Sequence, residues 1–412
     1  MIVPRDLDCS DMPLKKQSAR RILLSGMFDM RNFGDLMFPL IARQALAPFD
    51  LEIVAVSPSG AETGFDDAMA SIPLAQMMAG ETPAHGIAVG GGYMIHTHKM
   101  HFLEEYARDA LYDVAGPGLW LGATLAAAVR DVPIAWNAPG VPHPFASHQH
   151  ALIGAALRAA DYLSLRDRGS LELLEPRADA EVHIVPDPVA AIARLWPRTM
   201  LEARFRAMLE RKGADTQAQT VALHFRNRSL ARLGVPAAAA MIDDFAAAQG
   251  LTPMLLAVGQ THADDVLARE ISGAMKGPHL VLDDPKSLIE IAAAIAWSKL
   301  YIGASLHGYV TAAAYGVPGI LVAQPSYRKF QGFLDHTGRA QDLVKDWAEA
   351  FAKARDVRGT PLPASVLAAL DLHWRRMAQA LCDPAPKRAA RQAFRRACAQ
   401  EPVPAWAKGP RP

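Results

Sequence analysis

Short apolar runs recur along the chain, each followed by a polar turn and then by a stretch whose apolar positions repeat at helical spacing. Arg21-Ile-Leu-Leu-Ser-Gly26 reads as a buried strand, followed by a polar loop through Asn32 and Asp35 and the helical pattern of 36–46. Further runs begin at Leu51, Gly86, Ile134 and Tyr162, with helical segments expected around 102–112, 119–130 and 148–160. The alternation pauses after Asp187-Pro188, crosses a charged, helix-like stretch and the polar residues 212–219, and then resumes. Strands starting at Val221, Pro253, Leu280, Lys299 and Pro318 alternate with helices expected at 235–249, 263–275, 285–297 and 308–315. Strands alternating with helices predict α/β architecture: two Rossmann-like doubly wound domains, each with a parallel sheet, facing a cleft at the carboxyl ends of their strands. The expected division is a disordered lead-in (1–20), an N-terminal domain (21–198), a connector (199–217), a C-terminal domain (218–382) and a flexible Pro-, Arg- and Lys-rich tail (383–412).

Composition narrows the function classes. The chain has 412 residues, 51% of them hydrophobic, enough for two cores. Its 43 basic residues balance 42 acidic ones, which argues against a broad nucleic-acid surface and makes any anion site local. Cys9, Cys382 and Cys398 have neither metal-ligand spacing nor a disulfide framework, which suits the cytosol. The charged N-terminus lacks the apolar core of a secretory signal, and no run reaches the length of a membrane span, so a cytoplasmic protein, at most peripheral to a membrane, is expected.

In the first half, Asn32-Phe33-Gly34-Asp35 sits between strand and helix; it can cap the helix, or bind a ligand on its free N–H groups. Gly90-Gly91-Gly92 follows a strand directly, where close backbone approach to a ligand is expected, although the dinucleotide fingerprint is absent. His96, His98 and His101 match no zinc spacing, so no metal is expected and the cluster reads as a polar helix start or cleft lining. Arg166-Asp167 with Ser170 reads as an ion pair with a capping hydroxyl, and Asp187-Pro188 as a turn.

The second half carries more specific chemistry. Arg226, with Arg228 close behind, comes straight off a strand, where a guanidinium can clamp a small carboxylate or phosphate. His307, between Ser305-Leu306 and Gly308 at a helix start, occupies a position suited to an acid–base group or phosphate donor. Tyr327-Arg328-Lys329 can add a second cation.

In order and spacing, the Asn-Phe-Gly-Asp loop, the triple glycine, Arg166-Asp167, Asp187-Pro188, Arg226, the Ser305–Gly308 motif, Gly316–Pro318 and Tyr327–Lys329 resemble the polysaccharide pyruvyl transferase family over roughly residues 21–335. The resemblance implies an architecture like that of the two-domain B-type glycosyltransferases. It also implies phosphoenolpyruvate as co-substrate with no cofactor, and a sugar, oligosaccharide or lipid-linked glycan as acceptor. It puts Arg226 and His307 at the phosphoenolpyruvate site, lined by Ser305, Leu306 and Gly308, with Arg328 or Lys329 adding charge. The acceptor then faces Asn32 and Asp35, and association with membrane-bound glycan-assembly enzymes becomes an expectation. Many family members have arginine where Ser305 stands. Two rival readings stay open at this point: a nucleotide-sugar glycosyltransferase of the same architecture, and a non-catalytic glycan- or partner-binding member.

Overall fold

The computed structural model describes residues 19–101, 103, 106, 111–174, 180–230 and 233–400. Two wholly parallel sheets organise the chain. The first has the order β3-β2-β1-β4-β5, formed by β1 (Arg20–Ser25), β2 (Leu51–Ser57), β3 (Ser71–Pro73), β4 (Gly86–Val89) and β5 (Ile134–Trp136). A paired β6 (Leu163–Leu165) and β7 (Val182–Ile184) extend it through a bridge from Ala135 to Tyr162. The second sheet has the order β10-β9-β8-β11-β12-β13. Its strands are β8 (Thr220–His224), β9 (Thr252–Leu256), β10 (Leu280–Leu282), β11 (Leu300–Gly303), β12 (Gly319–Val322) and β13 (Leu343–Val344).

In each sheet the first strand lies inside and the order reverses beside it: β1 between β2 and β4, β8 between β9 and β11. At such a switch point the loops leaving adjacent strands diverge and open a crevice at their carboxyl ends. The strands are near-continuous apolar runs because helices cover both faces; Ile22, Leu23 and Leu24 of β1 and Val221, Ala222 and Leu223 of β8 are fully buried. Register is direct, with Ile22 opposite Ile53 and Gly86, and His224 opposite Gly303.

The halves meet through backbone as well as side chains. Phe33 N–H donates to Val258 O at 2.8 Å and Gln260 N–H to Arg31 O at 2.9 Å, so the loop after β1 is stitched to the loop after β9. The Asp67 carboxylate accepts the N–H groups of Leu288 (2.7 Å) and Ile289 (2.9 Å) at the start of the helix Leu288–Ala296. One apolar cluster runs from Phe33 and Leu40 of the first half into Ile291 and Val310 of the second.

Two expectations about the chain's end are corrected. The helix Ala364–Cys382, assigned to the C-terminal domain, lies against the first sheet: its buried His373 is bonded to Tyr162 Oη at 2.9 Å and Asn137 Oδ1 at 3.0 Å. The segment after residue 383, expected to be a flexible tail, forms a helix over Arg388–Gln400 packed on the first half. Its Ala, Arg and Gln residues favour helix, Phe394 is fully buried, and Arg391 binds Asp161 (2.8 and 3.0 Å) and Asp131 (3.1 Å). Residues 401–412 and residues 1–18 of the lead-in expected over 1–20 lie outside the described residues, as does most of the helix expected at 102–112, while Arg20 already belongs to β1. Among the described residues no helix is long and apolar enough to cross a membrane.

Candidate active site

A cavity of about 540 Å³ opens between the halves at the carboxyl ends of the strands. Its walls include Asn32, Asp35, Gly92, Arg226, Ser305, Leu306, His307 and Lys329, so most of the residues singled out from the sequence converge there. His307 is brought in by the helix Leu306–Ala314, which Ser305 caps by accepting the Gly308 N–H at 3.3 Å. Its imidazole crosses to the first half, where Nε2 lies 3.3 Å from Asp187 Oδ2 and the ring meets Phe38 edge-on at 5.5 Å. The ring also rests on the Cα of Gly34, so close that a Cβ there would fall within it. Gly34 therefore serves His307.

Asp187 holds that histidine and is itself firmly held. Its Oδ1 accepts the Val189 N–H at 3.0 Å, and Arg166 Nη1 stands 3.6 Å from Oδ2. Burial disfavours its charge, but His307, Arg166 and the Val189 N–H outweigh burial and keep the carboxyl below its ordinary range. Asp187 is thus both a turn residue and the partner of His307. Arg166 is likewise more than half of an ion pair. It is 4% exposed, lies over the Tyr93 ring at 4.4 Å and lines the cavity; its Nε stands 3.6 Å from Asp167 Oδ2, and among the described residues neither Nε nor Nη2 is hydrogen-bonded to an acceptor. Arg226 Nε is also buried without a hydrogen-bond partner among the described residues. Lys329 Nζ sits among the Tyr93, Tyr327 and Phe330 rings at 5.6, 5.2 and 5.9 Å; burial first, then Arg226 and Arg166, pull its pKa down to about 7. Three cationic groups from three separate segments therefore face one space with donors to spare, the arrangement of an anion clamp.

The other wall is less polar. Met27, Met30, Met100 and Leu103 line it beside His96, His98 and His143. His96 is neutral at any ordinary pH, its pKa lowered to about 4 by burial and by the two neighbouring histidines; burial and then Arg226 do the same to His262. His96 and His98 fit the expectation of cleft lining, whereas residues 96–100 form no helix and His101 instead lies against Tyr112, the ring centroids 4.0 Å apart and the planes tilted by 36°. Among the described residues no group of side chains could hold a metal ion.

Four of the glycines and one arginine singled out from the sequence stay off the cavity wall. Gly90 and Gly91 pack under Phe28 and Phe38, Gly308 admits the Tyr301 ring, and Gly34 admits His307. Gly92, at φ +92°, reaches the wall, where a Cβ would stand 2.8 Å from Asp35 Oδ1. Arg328 instead donates to Pro142 O at 2.8 Å, tying the helix Arg328–Thr337 to the first half. Arg166 and Asp187 were missed as site residues, although each follows a parallel strand's carboxyl end as Arg226 does.

Fold and site together define a two-domain protein of the B-type glycosyltransferase architecture with a cleft that gathers cationic side chains around a histidine. The chain belongs to the polysaccharide pyruvyl transferase family, whose model matches residues 32–326. No curated protein sequence is significantly similar to it. Among solved structures, the UDP-GlcNAc 2-epimerase of Methanocaldococcus jannaschii is similar at 13% identity and a TM-score of 0.51, over 82% of this chain and 92% of that one. The same enzyme in complex with UDP-GlcNAc and UDP gives 11% and 0.50 over 86% and 98%. The Neisseria meningitidis UDP-GlcNAc 2-epimerase gives 9% and 0.48 over 92% and 98%. At these identities the likeness is one of fold.

Proposed function

We propose that the cavity binds phosphoenolpyruvate and that the protein transfers its pyruvyl group to two hydroxyls of an exported or cell-envelope polysaccharide or its lipid-linked precursor, releasing phosphate. The observation that carries this reading is the set of unpaired donors on Arg166 and Arg226, with Lys329, around His307. Phosphoenolpyruvate offers a carboxylate and a phosphate within one small molecule, and guanidinium groups match both. An enol phosphate becomes electrophilic at C2 once C3 gains a proton. His307, fixed by Asp187, is the donor in this reading, and the cations balance charge on the departing phosphate. The reaction needs no cofactor. It belongs in the cytoplasm, with peripheral contact to membrane-bound glycan-assembly enzymes.

Calorimetric titration of the protein with phosphoenolpyruvate tests the reading without knowledge of the acceptor. UDP and UDP-glucose serve as controls, because a structural neighbour binds UDP-GlcNAc. Phosphoenolpyruvate alone is expected to bind, and Arg226→Ala to weaken it at least tenfold, the loss of a charge-assisted hydrogen bond of about 1.5–3 kcal/mol. Binding of the nucleotides instead, or an unchanged Arg226→Ala, refutes it.

A further inference from the structure

We infer that Asp35 is the general base that takes the proton from the attacking acceptor hydroxyl, complementing His307 as the acid. The inference rests on the pyruvyl transfer proposed above and begins from its proton count. In the addition step the acceptor O–H bond breaks, its oxygen bonds to C2, and the C2=C3 electron pair takes a proton at C3 to make the methyl group. One group must donate a proton and another must accept one within the same complex, so His307 cannot do both. In the second step the C2–O bond to phosphate breaks, the electron pair leaves with phosphate, and the second hydroxyl bonds to C2. Its proton returns to the now neutral His307, and the proton held by Asp35 leaves on phosphate.

Asp35 fits the acceptor role by position. Among the described residues lining the cavity it is the only carboxylate, and it is 6% exposed. Asn32 Nδ2 donates to its Oδ2 at 2.8 Å, while no donor among the described residues is bonded to Oδ1, which lies beside Gly92. One oxygen is thus anchored by Asn32, while the other carries no hydrogen bond from the described residues and lies beside Gly92, itself on the cavity wall. Asp35 directly follows Gly34, on which the His307 ring rests, so acid and base stand next to each other across the junction of the halves. The charged groups facing it are His307, Lys329, Arg166 and Asp187; burial, the largest influence, outweighs the cations and raises its pKa, which makes it a better base than an exposed aspartate. Arg166 and Arg226, as permanent cations, supply no basic lone pair.

The test compares the wild-type protein with Asp35→Asn, which keeps the volume and the bond to Asn32. Phosphate release from phosphoenolpyruvate is followed with a panel of methyl glycosides of common hexoses and N-acetylhexosamines, alongside calorimetric binding of phosphoenolpyruvate. The variant is expected to bind phosphoenolpyruvate as well as or better than wild type, since a negative charge is gone, while turnover falls roughly 10²- to 10⁴-fold. The acid limb of the kcat/KM profile, present while Asp35 must be ionised, should vanish. Asp35→Glu should recover part of the rate. Turnover within threefold of wild type, an unchanged acid limb, or a rate loss accounted for by lost phosphoenolpyruvate affinity overturns the role and leaves the proposed reaction standing. A wild-type protein that neither binds phosphoenolpyruvate nor releases phosphate from it with any of the glycosides defeats the reaction, and the Asp35 role with it.

Discussion

Gly34→Ala isolates the junction on which the site depends. A methyl group at residue 34 would overlap Nδ1 and Cγ of His307; even Cε1 would lie at 2.6 Å, about 0.8 Å inside the 3.4 Å where ordinary contact begins. The neighbour is a ring held by Asp187 on one side and Phe38 on another, so it cannot swing aside freely. Moving it away carries Nε2 beyond bonding range of Asp187 Oδ2, since that bond is already 3.3 Å long. Misplacement of a reacting group by about 1 Å costs on the order of 100-fold in rate. Forcing a methyl group into a packed site costs about 1–3 kcal/mol of stability. Arg166, Arg226 and Lys329 are untouched, so phosphoenolpyruvate binding should change less than threefold. Calorimetry, phosphate release and a urea denaturation curve read the three quantities separately. Wild-type turnover in a folded Gly34→Ala protein would refute the placement of His307; a parallel loss of binding would show that the loop itself contacts the anion.

Lys329 is expected to make affinity for the proposed anion pH-dependent. With its pKa near 7 in the free site it is cationic below that value and neutral above it, so affinity is greatest on the acid side and is lost as pH rises. Titrations between pH 7.5 and 9, above the phosphate's own ionisation near 6, should show phosphoenolpyruvate affinity falling roughly tenfold, and Lys329→Arg should flatten the profile. A flat wild-type profile would remove Lys329 from the clamp. Arg391→Ala should destabilise the protein by about 3 kcal/mol in a urea denaturation curve, because it leaves the Asp161 carboxylate, 1% exposed, without its cation. A change under 1 kcal/mol would mean that the helix Arg388–Gln400 does not contribute to the first half's stability.

What the sequence reveals of this protein follows from the range of each signal. Strands and helices depend on local apolar period and on caps such as Ser287 and Ser305, so the helix 235–249 is legible to the residue. Arg226 and His307 are legible because a strand-end position in a parallel sheet is a functional address. Asp187 has the same address, but its meaning depends on a histidine 120 residues away, and no local pattern carries that pairing. Gly34 is legible as a close approach but not as an approach to His307. The Arg-rich segment after residue 383 suggests disorder until Asp131 and Asp161 are seen to supply its counter-charges.

The same long-range pairing bears on Ser305. Its place as a serine, where many family members carry arginine, is the one sequence feature that favours a non-catalytic protein. In the fold its hydroxyl is occupied as the cap of the helix that carries His307, a task a guanidinium would not perform in the same way. The positive charge is supplied from elsewhere: Arg166 beyond β6, Arg226 beyond β8 and Lys329 beyond β12. The proposed anion clamp, assembled from segments that follow three separate strands, does not depend on one more cation at 305. The serine at 305 is thus accounted for by its place in the fold and carries no argument for a non-catalytic protein.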